Sequence, residues 1–142
     1  MNVDFTERLR AELSAASDYR RLEALENLVG GIGGDDDTGR VEEILVDVLR
    51  ADANSVVRHE AAFVLGKLYE LGEVRGEITL GQLCDSALRD CSVVVRHEAA
   101  EVLACFNTGR AIATLQVLLD DPDPDVSATA RISLERLADA GD

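Results

Sequence analysis

The sequence predicts an all-α fold, an α-solenoid of four helix pairs and eight helices around one continuous core. The strongest sign is an exact internal copy. Val56-Val57-Arg58-His59-Glu60-Ala61-Ala62 recurs residue for residue as Val94-Val95-Arg96-His97-Glu98-Ala99-Ala100. The frame around it repeats as well, aligning Asp52, Asp90 and Asp121, then Asn54, Ser92 and Asp123, then Val57, Val95 and Val126. These valines are spaced by 38 and then 31 residues, the length of a helix pair in repeat proteins. Composition agrees, since tryptophan is absent, aromatic residues make up 4%, and Ala, Val and Leu dominate. Such a chain packs helices closely and is poor material for a sheet.

Taken in order, the helices are expected at 2–16 with 18–29, 39–51 with 55–70, 77–89 with 93–106, and 109–120 with 124–139. The four repeats then run about 2–30, 39–70, 77–106 and 109–139, within a single domain covering 1–142. Glycine-rich stretches, Gly30 to Asp37 and Leu71 to Gly76, separate repeats, and shorter breaks fall near Asp52, Asp90, Asn107 and Asp120. Between the breaks, apolar residues recur at threes and fours: Ile44, Leu45, Val48 and Leu49, then Val57, Ala61, Val64, Leu65 and Leu68. Asn54, Ser92 and Asp123 are good helix N-caps, and Pro124 sits where a first-turn proline is tolerated.

Charge and termini narrow the functions. With 28 acidic and 14 basic residues the net charge is -14, which leaves no basic face for nucleic acid or an anionic membrane surface. A basic protein or peptide partner fits that charge. The first sixteen residues carry Asp4, Glu7, Arg8, Arg10 and Glu12 and lack the apolar run of a signal peptide, so a cytoplasmic location is expected. Cys84, Cys91 and Cys105 are odd in number and form no C-x-x-C pair, which points to reduced packing residues.

The chemistry rests on the duplicated His-Glu pair, which holds both histidines of the chain. At about 100° per residue, Val57, Ala61, Val64, Leu65 and Leu68 share one face of their helix, and His59, Ala62, Phe63 and Gly66 the other. The matching positions in the next repeat are His97, Ala100, Glu101 and Ala104, so small residues are expected to leave room beside each histidine on a concave surface. Stacked helices lie roughly 8 to 10 Å apart, close enough for imidazoles of adjacent repeats to share an ion. The expected metal ligands are His59, Glu60, His97 and Glu98, with Glu101 facing the same hollow to orient substrate or a proton. Mixed imidazole and carboxylate ligation with open positions suits Fe(II), Mn(II) or Zn(II). Leu22-Glu23 and Ala128-Thr129 occupy this register in the first and last repeats, so only the central repeats carry the set. Asp35-Asp36-Asp37 in its glycine-rich loop is a weaker cation candidate. A duplication also copies a solvated surface pair along with its frame, which is the plain alternative.

The short unit with Val-Arg-x-x-Ala-Ala on each inner helix resembles the HEAT-like repeats named after phycobilisome lyases. More narrowly, the chain resembles one half of deoxyhypusine hydroxylase, through Arg21-Leu22-Glu23-Ala24-Leu25, Ala61-Ala62-Phe63-Val64-Leu65-Gly66, Ala99-Ala100-Glu101-Val102-Leu103 and Ser133-Leu134-Glu135-Arg136-Leu137. That resemblance implies a non-haem diiron centre held by His-Glu pairs in the two central repeats of each half, where His59-Glu60 and His97-Glu98 sit. This chain has two such pairs where the family has four, so a diiron centre requires a homodimer. The resemblance thus implies an oxygen-activating hydroxylase or monooxygenase, an iron oxidoreductase. The contrasting expectation is a non-catalytic adaptor or chaperone that holds a protein partner or prosthetic group on its concave face.

Overall fold

The computed structural model describes residues 4–32 and 38–140. Asp35-Asp36-Asp37 lies outside them. Eight α-helices follow one another with no strand among the described residues: α1 (Phe5–Leu13), α2 (Asp18–Glu26), α3 (Thr38–Ala51), α4 (Ser55–Glu70), α5 (Glu77–Arg89), α6 (Val93–Val102), α7 (Gly109–Leu118) and α8 (Pro124–Ala140). Odd and even helices pair within each repeat, and each layer then stacks on itself, α1 on α3 on α5 on α7 and α2 on α4 on α6 on α8. The fold is the expected all-α solenoid.

Local chemistry explains most boundaries. Asp4, Ser17, Asn54 and Thr108 accept from first-turn amides of α1, α2, α4 and α7, so each of those helices starts where a side chain replaces a missing backbone acceptor. Helix α5 begins at Gly76 (φ +91°), which has no side chain to cap with. The buried Glu42 of α3 caps it instead, its Oε2 accepting from Gly76 N (3.1 Å), Thr79 N (3.3 Å) and Thr79 Oγ1 (2.6 Å). Only glycine fits at 76, because a Cβ there would lie 2.7 Å from the Tyr69 ring.

Some helices are shorter than the sequence pattern suggests. Helix α2 stops at Glu26 rather than near 29, and α7 at Leu118 rather than near 120. Helix α6 gives way after Val102 to a 3-10 turn, Leu103–Cys105, instead of running to 106. Tightening that turn releases Phe106 into an extended conformation, where its ring stacks on Tyr69 with centroids 4.1 Å apart.

A polar ladder runs beside the core and fixes how far each repeat turns against the next. Arg21 forks onto Asp52 (2.8 and 3.1 Å), Arg58 onto Asp90 (2.9 and 3.0 Å) and Arg96 onto Asp121 (3.1 and 3.3 Å). Each arginine also donates to a carbonyl just before its own helix, Ala15, Asp52 or Asp90, at 2.8 to 3.0 Å. Each aspartate accepts from the amide two residues on, at 2.9 Å in all three turns, so one carboxylate joins an arginine and a helix start. Ser127 stands at the next arginine register, and the ladder ends there.

One expectation about faces fails. Ala62 and Ala100 do not open onto a hollow and are completely buried, while Gly66, though buried, borders a small one. An inner helix packs against its outer partner and also against the inner helices before and after it, as α4 does with α3, α2 and α6. The small residues serve that second contact: a Cβ on Gly66 would sit 2.9 Å from Val102 Cγ1 of α6. Cys84 is buried as a packing residue should be, whereas Cys91 is exposed and Cys105 half-buried.

Candidate metal centre

The ladder and the caps place the His-Glu pairs. His59 and His97 each follow their helix N-cap, Asn54 or Ser92, by five residues, and each directly follows a ladder arginine. Because Arg58 holds α4 to the turn before α6, the imidazole of one repeat meets the carboxylate of the next. His59 Nε2 lies 3.2 Å from Glu98 Oε2, with the His59 side chain 30% exposed and Glu98 only 10%. On α6 itself, His97, Glu98 and Glu101 each bring a ligand atom to within 4.8 Å of the others.

The pairing is therefore diagonal, histidine of one repeat to glutamate of the next. Leu22 occupies the histidine register before Glu60, and Thr129 the glutamate register after His97, so only His59 and Glu98 form a full diagonal pair. Glu101, one turn beyond His97 on the same helix, supplies the carboxylate that Thr129 cannot. Glu101 thus offers a carboxylate oxygen close to His97 and Glu98. Glu60 stands apart from that group of three, half-buried on α4.

Electrostatics match this arrangement. Contact with Glu98 raises the His59 imidazole above its ordinary value against the opposing cost of burial, and the charges of Glu60 and Glu101 add to the effect. Burial raises the Glu60 carboxyl, and Glu26 and Glu98 add to that while His59 opposes it. Several acids packed around two imidazoles concentrate negative charge that a divalent cation offsets.

The donor set fits a metal. Imidazole nitrogen and carboxylate oxygen bind first-row ions at roughly 2.0 to 2.2 Å, which puts neighbouring ligand atoms roughly 3 to 4 Å apart. The three ligand atoms of His97, Glu98 and Glu101 all lie within 4.8 Å of one another, near that spacing. Cys105 is not suited to join them. Its thiol donates to Glu70 Oε1 at 3.1 Å, and burial with the Glu70 charge pushes it up to about 12, so it stays protonated.

Two small hollows flank Glu101. One of about 180 Å³ lies between α4, the 3-10 turn and α8, with Phe63, Lys67, Glu70, Cys105 and Arg136 around it and Glu98 and Glu101 at its side. The other, about 200 Å³, runs between His97 and α8 along Thr129, Ile132, Ser133 and Arg136. Arg136 borders both, a residue that sequence reasoning passed over because its position on α8 gives no hint of what stands opposite. A larger hollow of about 650 Å³ belongs to α1 and α2 and holds none of the His-Glu residues.

Comparison with known proteins agrees with the architecture. A family model for HEAT repeats matches residues 80–142. No curated protein sequence matches the chain. Among solved structures, human deoxyhypusine hydroxylase in complex with glycerol superposes with a TM-score of 0.71 and 27% sequence identity, covering 98% of this chain. The chain spans less than half of that enzyme, 45% of its length. No described helix is long and apolar enough to cross a membrane. The chain is a HEAT-like repeat protein that resembles part of deoxyhypusine hydroxylase, with a fold related to that hydroxylase.

Proposed function

We propose that this chain is a metal-binding HEAT-repeat protein, an oxygen-activating hydroxylase-like protein whose non-haem diiron centre assembles across a homodimer. The observation that carries the reading is the contact of His59 with Glu98 across two repeats, beside a convergent His97 and Glu101. A solvated surface pair has no reason to bury Glu98 to 8% exposure against an imidazole of another repeat. The likeness of nearly the whole chain to part of deoxyhypusine hydroxylase supports the same reading.

His59 and His97 would supply nitrogen donors, and Glu98 and Glu101 would supply oxygen donors that offset the cation's charge. Iron, when bound there, supplies the capacity to activate oxygen; Mn(II) and Zn(II) fit the same donors. One copy holds ligands for about one ion with open positions. Glu60, outside the convergent group, is the carboxylate left for a site shared with a second copy. An isologous pairing is the commonest way to double such a half-site.

The test links metal to assembly. Sedimentation and iron content are measured for the wild type and His97→Ala, with and without Fe(II) under anaerobic conditions, and the visible spectrum is followed as oxygen is admitted. The expected result is about one iron per chain, dimerisation strengthened by iron through His97, and an oxygen-dependent absorption change. Protein that takes up no metal, with assembly indifferent to His97→Ala, overturns the enzyme reading and leaves a non-catalytic HEAT adaptor.

A further inference from the structure

We infer that the hollow of about 180 Å³ beside Glu98 and Glu101 is a subsite for the carboxylate of a small organic acid, received by Arg136 and Lys67. The inference rests on the metal reading, since a bound dication offsets Glu98 and Glu101 at the side of the hollow, and the acid's chain would then extend toward the candidate metal ligands. Five features point the same way.

Arg136 makes no ion pair with any described residue, although the chain carries twice as many acidic as basic residues. Its planar fork suits a carboxylate. Lys67 reaches the same hollow, held 3.7 Å from Glu70 and 5.4 Å above the Phe63 ring. Glu70 is partly spent on Lys67 and on the Cys105 thiol, 3.1 Å away. Glu98 and Glu101 belong to the ligand group, so a bound dication would cancel their charge and leave the hollow locally positive. Phe63 and Val102 supply the apolar wall that a short carbon chain would cover.

The overall charge of -14 opposes any anion at long range. At about 0.1 M salt that field is screened beyond roughly 10 Å, whereas a charge-assisted contact inside the hollow is not. With the charge of Glu98 and Glu101 offset by a dication, an ammonium ligand of the same size meets the opposite balance, with Arg136 and Lys67 facing it.

Matched probes decide the matter. Butyrate, butylamine and butanol differ only in the head group, and each is titrated into full-length protein, metal-free and loaded with Zn(II), while amide and arginine side-chain resonances are followed. Butyrate should bind most tightly of the three in the Zn(II)-loaded protein, where the charge of Glu98 and Glu101 is offset, and more weakly without metal, shifting Phe63, Cys105 and Arg136. Arg136→Gln should weaken it about fivefold or more, and Lys67→Gln should weaken it less. Zn(II) uptake is read in the same samples from His59 and His97, so failure of the metal reading is seen separately. Should Zn(II) fail to bind while butyrate still binds through Arg136, the subsite stands and the metal reading falls. Preference for butylamine in the Zn(II)-loaded protein, absence of binding by all three probes, or butyrate binding that Arg136→Gln leaves unchanged because it goes to the metal, each overturns the subsite.

Discussion

Removing Arg58 from the ladder tests whether the polar contacts between repeats set the geometry of the site. Its guanidinium donates four hydrogen bonds, two to Asp90 at 2.9 and 3.0 Å, one to the Asp52 carbonyl at 2.8 Å and a long one to Cys91 Sγ at 3.9 Å. Side-chain exposure is 10% for Arg58 and 9% for Asp90. Arg58→Gln strands a nearly buried carboxylate, and breaking one side of a buried pair costs about 3 to 5 kcal/mol. The ladder runs along helix starts just beneath the surface, where water can reach part of the carboxylate, so about 2 to 3 kcal/mol is expected here. Asp90→Asn should cost a similar amount, because its Oδ1 still accepts from Ser92 N but an amide NH2 replaces the oxygen that accepts from Arg58 Nε. The double variant should lose clearly less than the sum of the two, showing coupling. Urea unfolding with a check on the slope measures all three. Because the arginine directly precedes His59, Arg58→Gln should also loosen His59 from Glu98, seen as a fall of the imidazole titration toward its ordinary value. Single variants within about 0.5 kcal/mol of wild type, or additive losses, would refute the argument.

Two further outcomes follow from the packing and the pair. Gly66→Val should destabilise by about 1 to 3 kcal/mol through collision with Val102, and Val102→Ala should recover part of that loss; a stable single variant would show that α4 and α6 have slack between them. The metal-free protein should be more stable near pH 6 than near pH 8. His59 is raised above 6.5, so folding favours its protonated form, and that contribution is complete below the ordinary value and lost as pH climbs through the raised one. His59→Gln should flatten the profile, while a wild-type curve parallel to the variant's would remove the pair as a source of stability. Metal affinity should run the other way and strengthen with pH, because a bound imidazole must be deprotonated.

The sequence by itself determined the repeat, the helix pairs and the placement of two His-Glu pairs on adjacent inner helices. Those are local facts: a period of 3.6, a cap five residues before each histidine, and a copied segment that must fold the same way twice. Tertiary structure decided which groups meet. Periodicity gives an inner helix one apolar face, but Ala62, Gly66 and Ala100 are covered by a second contact that depends on how each repeat turns on the next. The same turn made the pairing diagonal, joining His59 to Glu98, whereas Glu101 nears His97 and Glu98 through the α6 helix alone. Asp52, Asp90 and Asp121 were visible as an aligned column, yet their partners Arg21, Arg58 and Arg96 belong to the preceding repeats, 31, 32 and 25 residues away. Arg136 reaches the hollow only because α8 packs against α6. A chain pattern records what lies along one helix; the angle between helices, set by small residues and the arginine ladder, decides what lies across from it.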